Sequence, residues 1–277
     1  MEKRADLHVH TYYSDGTFSP LEAVKEASGA DIAAIAISDH DCTDGIAESL
    51  EAGKRYGVEV IPAVELTAES NGVEVHILGY FIDIDAPPLI GLLEQLKKSR
   101  IERIYAMTEK LRRYNIDISP EDVFVLSQKG SVGRMHLASA LYNNKKVSSV
   151  REAFTKYLAD DAPCYVARFN ATPDYVIRTI LSSGGVPVYA HPGTMGRDDL
   201  ITIFMRSGLR GIEAYHADHS KGTARRYSEL AMKYGLLATG GSDCHGELKG
   251  KIGSASVPYS VVEELKRESM EIRNSKH

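Results

Sequence analysis

The 277-residue chain contains no tryptophan and only three cysteines, Cys42, Cys164 and Cys244. An odd number of thiols without a Cys-X-X-Cys pair argues against a disulfide framework and against a structural zinc finger. Any metal site in this chain must therefore be built from histidine and carboxylate side chains.

Two further absences narrow the classes of function. No stretch approaches 18 consecutive apolar residues, and the charged start runs directly into a predicted strand rather than into the apolar region of a signal peptide. The sequence therefore predicts a cytoplasmic protein that has no membrane partner. Its 33 basic and 38 acidic residues give a formal net charge of −5. The chain therefore lacks the positive field expected of a protein that binds long duplex DNA, and such DNA is not an expected partner.

The first chemical signal comes from two of the ten histidines, His8 and His10. Apolar and polar residues alternate over positions 5–10, so on a strand both rings project to the same side, roughly 6 to 7 Å apart. This spacing suits two ligands of one metal ion. Taken alone, the stretch also fits an exposed amphipathic edge strand.

The same arrangement, an apolar run followed by polar residues, recurs along the chain at 31–41, 58–65, 185–191, 211–216 and 235–245. Such runs are typical of buried parallel strands, and helical patterns lie between them. When a parallel sheet closes into a barrel, the carboxyl ends of its strands form the active face. The histidines and carboxylates near these ends, or on a further strand at 73–81, include His8, His10, Asp15, His40, Glu65, His76, His191, Asp243 and His245, and such a set suits a metal ion.

These residues resemble the motifs of the PHP family, the polymerase and histidinol phosphatase superfamily. The matching motifs are His8-Val9-His10, Ser14-Asp15-Gly16, Ser38-Asp39-His40, Glu65, His76, His191-Pro192 and Ser242-Asp243-Cys244-His245, which span essentially the full chain. The resemblance implies an α/β fold, a distorted (β/α)7-type barrel with a metal cluster at its C-terminal mouth.

The resemblance also implies two to three divalent ions of manganese, iron or zinc. It assigns a first ion to His8, His10, Glu65 and Asp243, a second to Glu65, His76 and His191, and a third to Asp15, His40 and His245. Glu65 would bridge two ions, because a carboxylate has two oxygens. A hydroxide shared by the two ions would attack a phosphoester in line, so Glu65 and Asp243 are expected to act in catalysis.

Residues 87–160 break the alternation of strands and helices, and their apolar side chains recur at helical spacing. We expect a helical insertion here, forming a cap on a barrel made of residues 1–86 and 161–277. The basic side chains of its first helix, Arg100 and Arg103 among them, are expected to form a solvated face.

Shorter motifs in the insertion resemble stand-alone nucleoside 3',5'-bisphosphate phosphatases and related 5'-exoribonucleases. Arg134 is expected to clamp a phosphate, with His136 and Lys156 as weaker partners, although Arg134 could instead pair locally within the insertion. His219 and His216 are candidates for protonating the leaving group or contacting the substrate. Either could instead be a surface residue at a strand end.

Together these features predict a metal-dependent phosphoesterase that hydrolyses a phosphomonoester of a small phosphorylated metabolite. A nucleoside 3',5'-bisphosphate is the expected substrate. The alternatives are a 5'-3' exonuclease acting on short RNA, a histidinol-phosphate-type phosphatase, and a non-catalytic metal-binding module.

Overall fold

The structure is a computed structural model that describes residues 3–127, 130–167 and 171–275. Within these residues eight strands form one sheet: β1 (Arg4–Val9), β2 (Ile32–Ile37), β3 (Glu59–Ser70), β4 (Val73–Tyr80), β5 (Val186–Tyr189), β6 (Gly211–His216), β7 (Leu237–Gly241) and β8 (Val257–Pro258). Their order across the sheet is β7-β6-β5-β4-β3-β2-β1-β8. This is a nearly closed barrel of seven longer strands with a two-residue strand added beside β1.

The strands are not all parallel. β1, β2 and β3 are parallel to one another, as are β5, β6 and β7, whereas β4 is antiparallel to both β3 and β5. The expectation of a parallel sheet is therefore wrong for β4. The reason is a tight hairpin at Asn71 and Gly72, whose φ angles of 52° and 78° are those of a two-residue turn between antiparallel strands.

The barrel closes where the end of β7 meets β1. The backbone N–H of His10 donates to the carbonyl of Cys244 at 2.9 Å. The buried carboxylate of Asp6 accepts the backbone N–H groups of Ser242 at 2.8 Å and Gly253 at 2.7 Å. Burial raises the pKa of Asp6 to about 6, although these hydrogen bonds oppose the rise. This seam holds two histidine-bearing segments side by side.

The helices are α1 (Pro20–Gly29), α2 (Ile46–Tyr56), α3 (Pro87–Arg112), α4 (Pro120–Leu126), α5 (Arg134–Asn143), α6 (Val150–Ala153), α7 (Pro173–Ser182), α8 (Pro192–Met195), α9 (Asp199–Ser207), α10 (Lys221–Tyr234) and α11 (Ser260–Asn274), with a π-helical turn at Phe154–Leu158. Helix α1 begins with a capping box. Ser19 Oγ accepts from the backbone N of Glu22, whose carboxylate accepts from the backbone N of Ser19. No helix of the described ranges is both long and apolar enough to cross a bilayer.

Helix α3 connects the barrel to a second apolar core. Leu89, Leu92 and Leu96, in its first half, belong to the core under the sheet. Ile104 and Met107, in its second half, belong to a separate core built with α5 and the π-helical turn. We therefore propose that residues 87–160 form an inserted subdomain and that α3 is shared between it and the barrel.

A substitution of Gly241, at the end of β7, tests how closely the strands pack at the seam of the barrel. A Cβ at this position would lie 2.3 Å from the backbone nitrogen of His8, whereas a Cβ at Gly91 on α3 would meet nothing within 4 Å. We expect Gly241→Ala to lower the free energy of unfolding by about 1 to 3 kcal/mol through overpacking, and Gly91→Ala to raise it by roughly 0.5 to 1 kcal/mol. Denaturant titration measures both. A Gly241→Ala protein as stable as the wild type would contradict this description of the seam.

Candidate active site

Glu65 lies at the centre of a group of histidines at the barrel mouth. Its backbone is fixed between β3 and the loop after β2, since its carbonyl accepts from the N–H of Asp41 at 2.9 Å. The side chain is 1% exposed. Oε2 lies 3.2 Å from His8 Nε2, 3.3 Å from His10 Nε2 and 3.0 Å from His40 Nδ1.

The second oxygen of Glu65 faces a different pair of rings. Oε1 lies 3.0 Å from Nδ1 of His76, which projects from β4, and 3.0 Å from Nε2 of His191, which follows β5. The two oxygens of one carboxylate thus face two separate sets of imidazole nitrogens. This is the arrangement that a ligand bridging two cations requires.

Asp243 and Asp15 extend the group on either side of His10. Asp243 Oδ1 lies 3.1 Å from His10 Nε2 and 3.5 Å from His8 Nε2. Asp15 Oδ1 lies 3.2 Å from His245 Nε2. The structure therefore brings together all nine residues that the sequence offered as metal ligands. We call them the His/Asp/Glu cluster: His8, His10, Asp15, His40, Glu65, His76, His191, Asp243 and His245.

The hydrogen bonding of the cluster fits metal binding. Four of its ring nitrogens, His8 Nε2, His10 Nε2, His40 Nδ1 and His76 Nδ1, are buried and lie 3.0 to 3.3 Å from Glu65 oxygens, but none of them makes a hydrogen bond of good geometry within the described structure, and Asp15 Oδ1 makes none either. Leaving a buried polar atom unpaired costs about 1 to 3 kcal/mol. Divalent cations would satisfy all of these atoms together, and nitrogen with carboxylate oxygen is a donor set that suits manganese, iron or zinc.

Protons compete with metal ions for this cluster. Burial opposes the charged form of His10 and of His76, but the neighbouring carboxylates of Asp243 and Glu65 raise the pKa of His10 to about 9, and the carboxylate of Glu65 raises that of His76 to about 10. Burial dominates at His40 and lowers its pKa to about 3. Binding of a cation must displace protons from the first two rings, so metal affinity increases with pH.

Two adjoining cavities open above the cluster. The first, which we call the cluster cavity, has a volume of about 380 Å³ and is lined by cluster residues together with Met135, Thr194, His216, Asp218, Leu248 and Lys249. The second, which we call the arginine cleft, has a volume of about 170 Å³ and is lined in part by Arg100, Arg103 and Arg134. The two share Asp15, His40, His76 and Met135. A molecule of nucleotide size can therefore touch the cluster and the arginines at once.

Comparison with known proteins identifies the family. Residues 6–161 match the PHP domain. The chain belongs to the PHP family. In the solved structure of a Bifidobacterium adolescentis protein assigned as a metal-dependent phosphoesterase, the fold superposes with a TM-score of 0.89 at 28% identity, covering 95% of this chain and 96% of that one.

Three relatives of known name share most of the chain. The 3',5'-nucleoside bisphosphate phosphatase of Chromobacterium violaceum is 33% identical, over 88% of each chain. The phosphoribosyl 1,2-cyclic phosphate 1,2-diphosphodiesterase of Eggerthella lenta is 31% identical, over 87% of this chain and 94% of the relative. The 5'-3' exoribonuclease Rnm of Escherichia coli is 34% identical, over 87% and 84%. This PHP protein is accordingly a metal-dependent phosphoesterase, a hydrolase of phosphoric esters.

The expectation of a solvated face on α3 is wrong for Arg100 and Arg103, which are 9% and 7% exposed. Arg100 Nε donates to Asp41 Oδ2 at 2.8 Å, and both arginines line the cleft. The signal was present in the sequence. Arg100 and Arg103 share a helical face with Ile104 and Met107, which lie in the core of the insertion.

Arg134 and Lys156, two of the residues expected to bind substrate, lie in different surroundings. Arg134 lines the arginine cleft, where it pairs with Asp160. Lys156 is 60% exposed and pairs with Glu152 one turn away, and the described linings of the two cavities do not include it. Arg134 thus makes the local pair that the sequence allowed while it also lies in the cleft beside the cluster, whereas Lys156 lies outside both described linings.

The three candidate histidines outside the cluster, His136, His216 and His219, each form a hydrogen bond with the backbone. His136 Nδ1 accepts the N–H of Gly133 at the start of α5. His219 Nε2 accepts the N–H of Gly193, and its Nδ1 donates to the carbonyl of Ala214. His219 thus has no free N–H in this arrangement, which argues against it as the proton donor.

His216 lies nearer to the cluster than the sequence indicated. Its Nδ1 accepts the backbone N–H of Asp218 at 3.1 Å, which leaves the ring proton on Nε2. Nε2 lies 3.3 Å from Asp243 Oδ2. His216 is therefore placed to orient Asp243, and it also lines the cluster cavity.

Sequence reasoning missed two carboxylates that support the cluster. Asp39 accepts hydrogen bonds from the backbone and hydroxyl of Thr11, both at 2.7 Å, and from Ser14 Oγ at 2.6 Å, which orders the loop that carries Asp15. Glu213 is fully buried on β6. It accepts His8 Nδ1–H at 2.9 Å and the backbone N–H of His191 at 2.8 Å. A glutamate inside an otherwise apolar strand was the available signal for Glu213.

Glu213 supplies a prediction, because a carboxylate behind a ligating imidazole orients the ring and raises its basicity. We expect Glu213→Gln to weaken manganese binding about 10- to 100-fold while the fold is retained. Calorimetric titration of the metal-depleted protein with manganese measures the affinity. Glu263→Gln, at an exposed position of α11, is the matched control. Unchanged affinity in Glu213→Gln would show that Glu213 does not support the site.

Proposed function

We propose that this PHP phosphoesterase removes one phosphate from a nucleoside 3',5'-bisphosphate. In this proposal the reacting phosphate lies at the His/Asp/Glu cluster and the second phosphate lies in the arginine cleft. The observation that carries the proposal is the cleft itself, which brings three arginines beside the cluster and shares cluster residues with it. Arg100 is already paired with the buried Asp41, so we assign the second phosphate to Arg103 and Arg134.

The cleft has features that suit a phosphate dianion. The guanidinium groups of Arg103 and Arg134 lie 5.1 and 5.6 Å from the ring centroid of Tyr165, and Arg103 Nε also donates to the carbonyl of Val166 at 2.8 Å. These contacts restrict both side chains. Asp160, the carboxylate that pairs with Arg134, is 72% exposed. Asp160 can therefore turn to solvent when a phosphate binds Arg134, whose side chain is 20% exposed and also donates to the carbonyl of Leu158 at 3.2 Å.

The nine cluster residues would hold two to three divalent ions of manganese, iron or zinc, divided as the family resemblance implies. Bound there, such ions lower the pKa of water and neutralise phosphate oxygens. The protein's own contribution is orientation. Glu65 aligns rings from several strands, Asp243 is held by His216, and the arginines fix the far end of the substrate so that the ester faces the cluster.

A substrate panel tests the proposal with manganese-reconstituted protein. Adenosine 3',5'-bisphosphate is compared with adenosine 3'-phosphate and adenosine 5'-phosphate, which differ from it only by one phosphate. We expect kcat/KM for the bisphosphate to exceed both others at least tenfold, because a charge-assisted contact contributes about 1.5 to 3 kcal/mol. Arg134→Met should remove most of this preference, and Arg112→Met, at an exposed site of α3, should not.

Other outcomes would redirect the assignment. Equal kcat/KM for the bisphosphate and the monophosphates would refute a second-phosphate site. Preference for a short 5'-phosphorylated RNA would identify an exonuclease, the activity named for the Escherichia coli relative. Preference for histidinol phosphate would identify a histidinol-phosphate-type phosphatase, another alternative predicted from the sequence. Bound manganese without turnover of any ester would indicate a non-catalytic module.

A further inference from the structure

Lys249 is the single lysine or arginine among the described residues that line the cluster cavity. Its Nζ lies 2.6 Å from Asp243 Oδ2 and 3.0 Å from Asp218 Oδ2. The arginine cleft adjoins a different part of the cluster, at Asp15, His40 and His76. Lys249 and the arginine cleft thus adjoin different parts of the cluster.

The loop between β7 and β8 fixes the position of Lys249. The N–H of His245 donates to the carbonyl of Lys249 at 2.7 Å, which closes a tight turn. Gly246 and Gly250, on either side of the turn, have φ angles of 71° and 74°, in the left-handed region that favours glycine. The N–H of Glu247 also donates to Thr17 Oγ1 at 2.9 Å. The loop is therefore tied to the rest of the mouth at several points.

The two oxygens of Asp243 face different partners. Oδ1 faces His10 and His8, on the side of the proposed first ion, while Oδ2 faces Lys249 and His216. A cation on Oδ1 would take up part of the carboxylate charge and would weaken its attraction for Lys249. The ammonium group carries three donors, of which Asp243 and Asp218 account for two. Its side chain is 43% exposed, in the wall of the cavity.

We propose that Lys249 is a further substrate-binding residue, whose ammonium group donates to a non-bridging oxygen of the phosphate that lies at the cluster. Asp218 keeps the ammonium group at the cavity wall, and Asp243 places it beside the cations. This role extends the phosphoesterase activity of the same site. It does not depend on which ester is the natural substrate or on what the arginine cleft binds.

Inorganic phosphate, a product of phosphomonoester hydrolysis, is the probe. We expect Lys249→Met to bind phosphate at least tenfold more weakly than the wild type when both proteins are loaded with manganese, since a charge-assisted contact is lost. Lys249→Arg should restore part of the affinity. Lys251→Met is the matched control, because Lys251 is exposed on the same segment and its side chain is outside the described lining of the cavity. Calorimetry measures the phosphate affinity, and elemental analysis measures the manganese content.

The manganese content separates this proposal from a purely structural role. Equal manganese in Lys249→Met and the wild type, with weaker phosphate binding, supports direct contact with the phosphate. Unchanged phosphate affinity at equal manganese content would overturn the proposal. A fall in manganese content that accounts for the whole loss of phosphate binding would also overturn it, because Lys249 would then act on Asp243 alone. A failed bisphosphate preference, by contrast, would leave this phosphate measurement unaffected.

Discussion

The structure depends on one buried carboxylate. Glu65 is 1% exposed, and its two oxygens face five imidazole rings that come from different strands and loops of the barrel. A buried carboxylate is costly unless it is paired, and unpaired imidazole nitrogens add to the cost. Cations held between Glu65 and these rings compensate both groups at once. Metal binding is therefore expected to stabilise the local geometry of the barrel mouth.

The surrounding residues make this arrangement rigid before any substrate arrives. The carboxylate of Glu213 accepts hydrogen bonds from the ring of His8 and from the backbone N–H of His191. The carboxylates of Asp6 and Asp39 bind the backbone of neighbouring segments. Asp41, His191 and Asp243 adopt positive φ angles of 49°, 29° and 50°. Such conformations cost free energy and persist only where surrounding contacts impose them. Their location beside the cluster indicates that fold stability is used to orient the ligands.

The sequence predicted the cluster because its residue types and positions are regular. Histidines and carboxylates follow apolar runs, and parallel strands bring such positions to one edge, so a metal-binding edge could be predicted without coordinates. The choice of the nine ligands came from the family resemblance. The family resemblance supplied the barrel and the division of ligands. The hairpin was also predictable, since Asn71-Gly72 between two apolar runs is a strong turn signal.

The supporting contacts could not be predicted in the same way. Glu213 and Asp39 act through partners distant in sequence, and Lys249 reaches Asp218 and Asp243 only because a loop folds back. The position of Arg100 depends on how an inserted helix docks on the barrel, where it meets Asp41. Residue type and periodicity do not indicate which distant residues come into contact, so these roles could be assigned only from the structure.

The most direct test of the central claim is an anomalous difference map from crystals grown with manganese, recorded near the manganese absorption edge. The account predicts at least two strong peaks, one on the side of Glu65 Oε2 with His8, His10 and Asp243, and the other on the side of Oε1 with His76 and His191. The carboxylate of Glu65 should bind both ions. Manganese peaks that lie only at sites away from Glu65, with none at bonding distance from its carboxylate, would contradict the account.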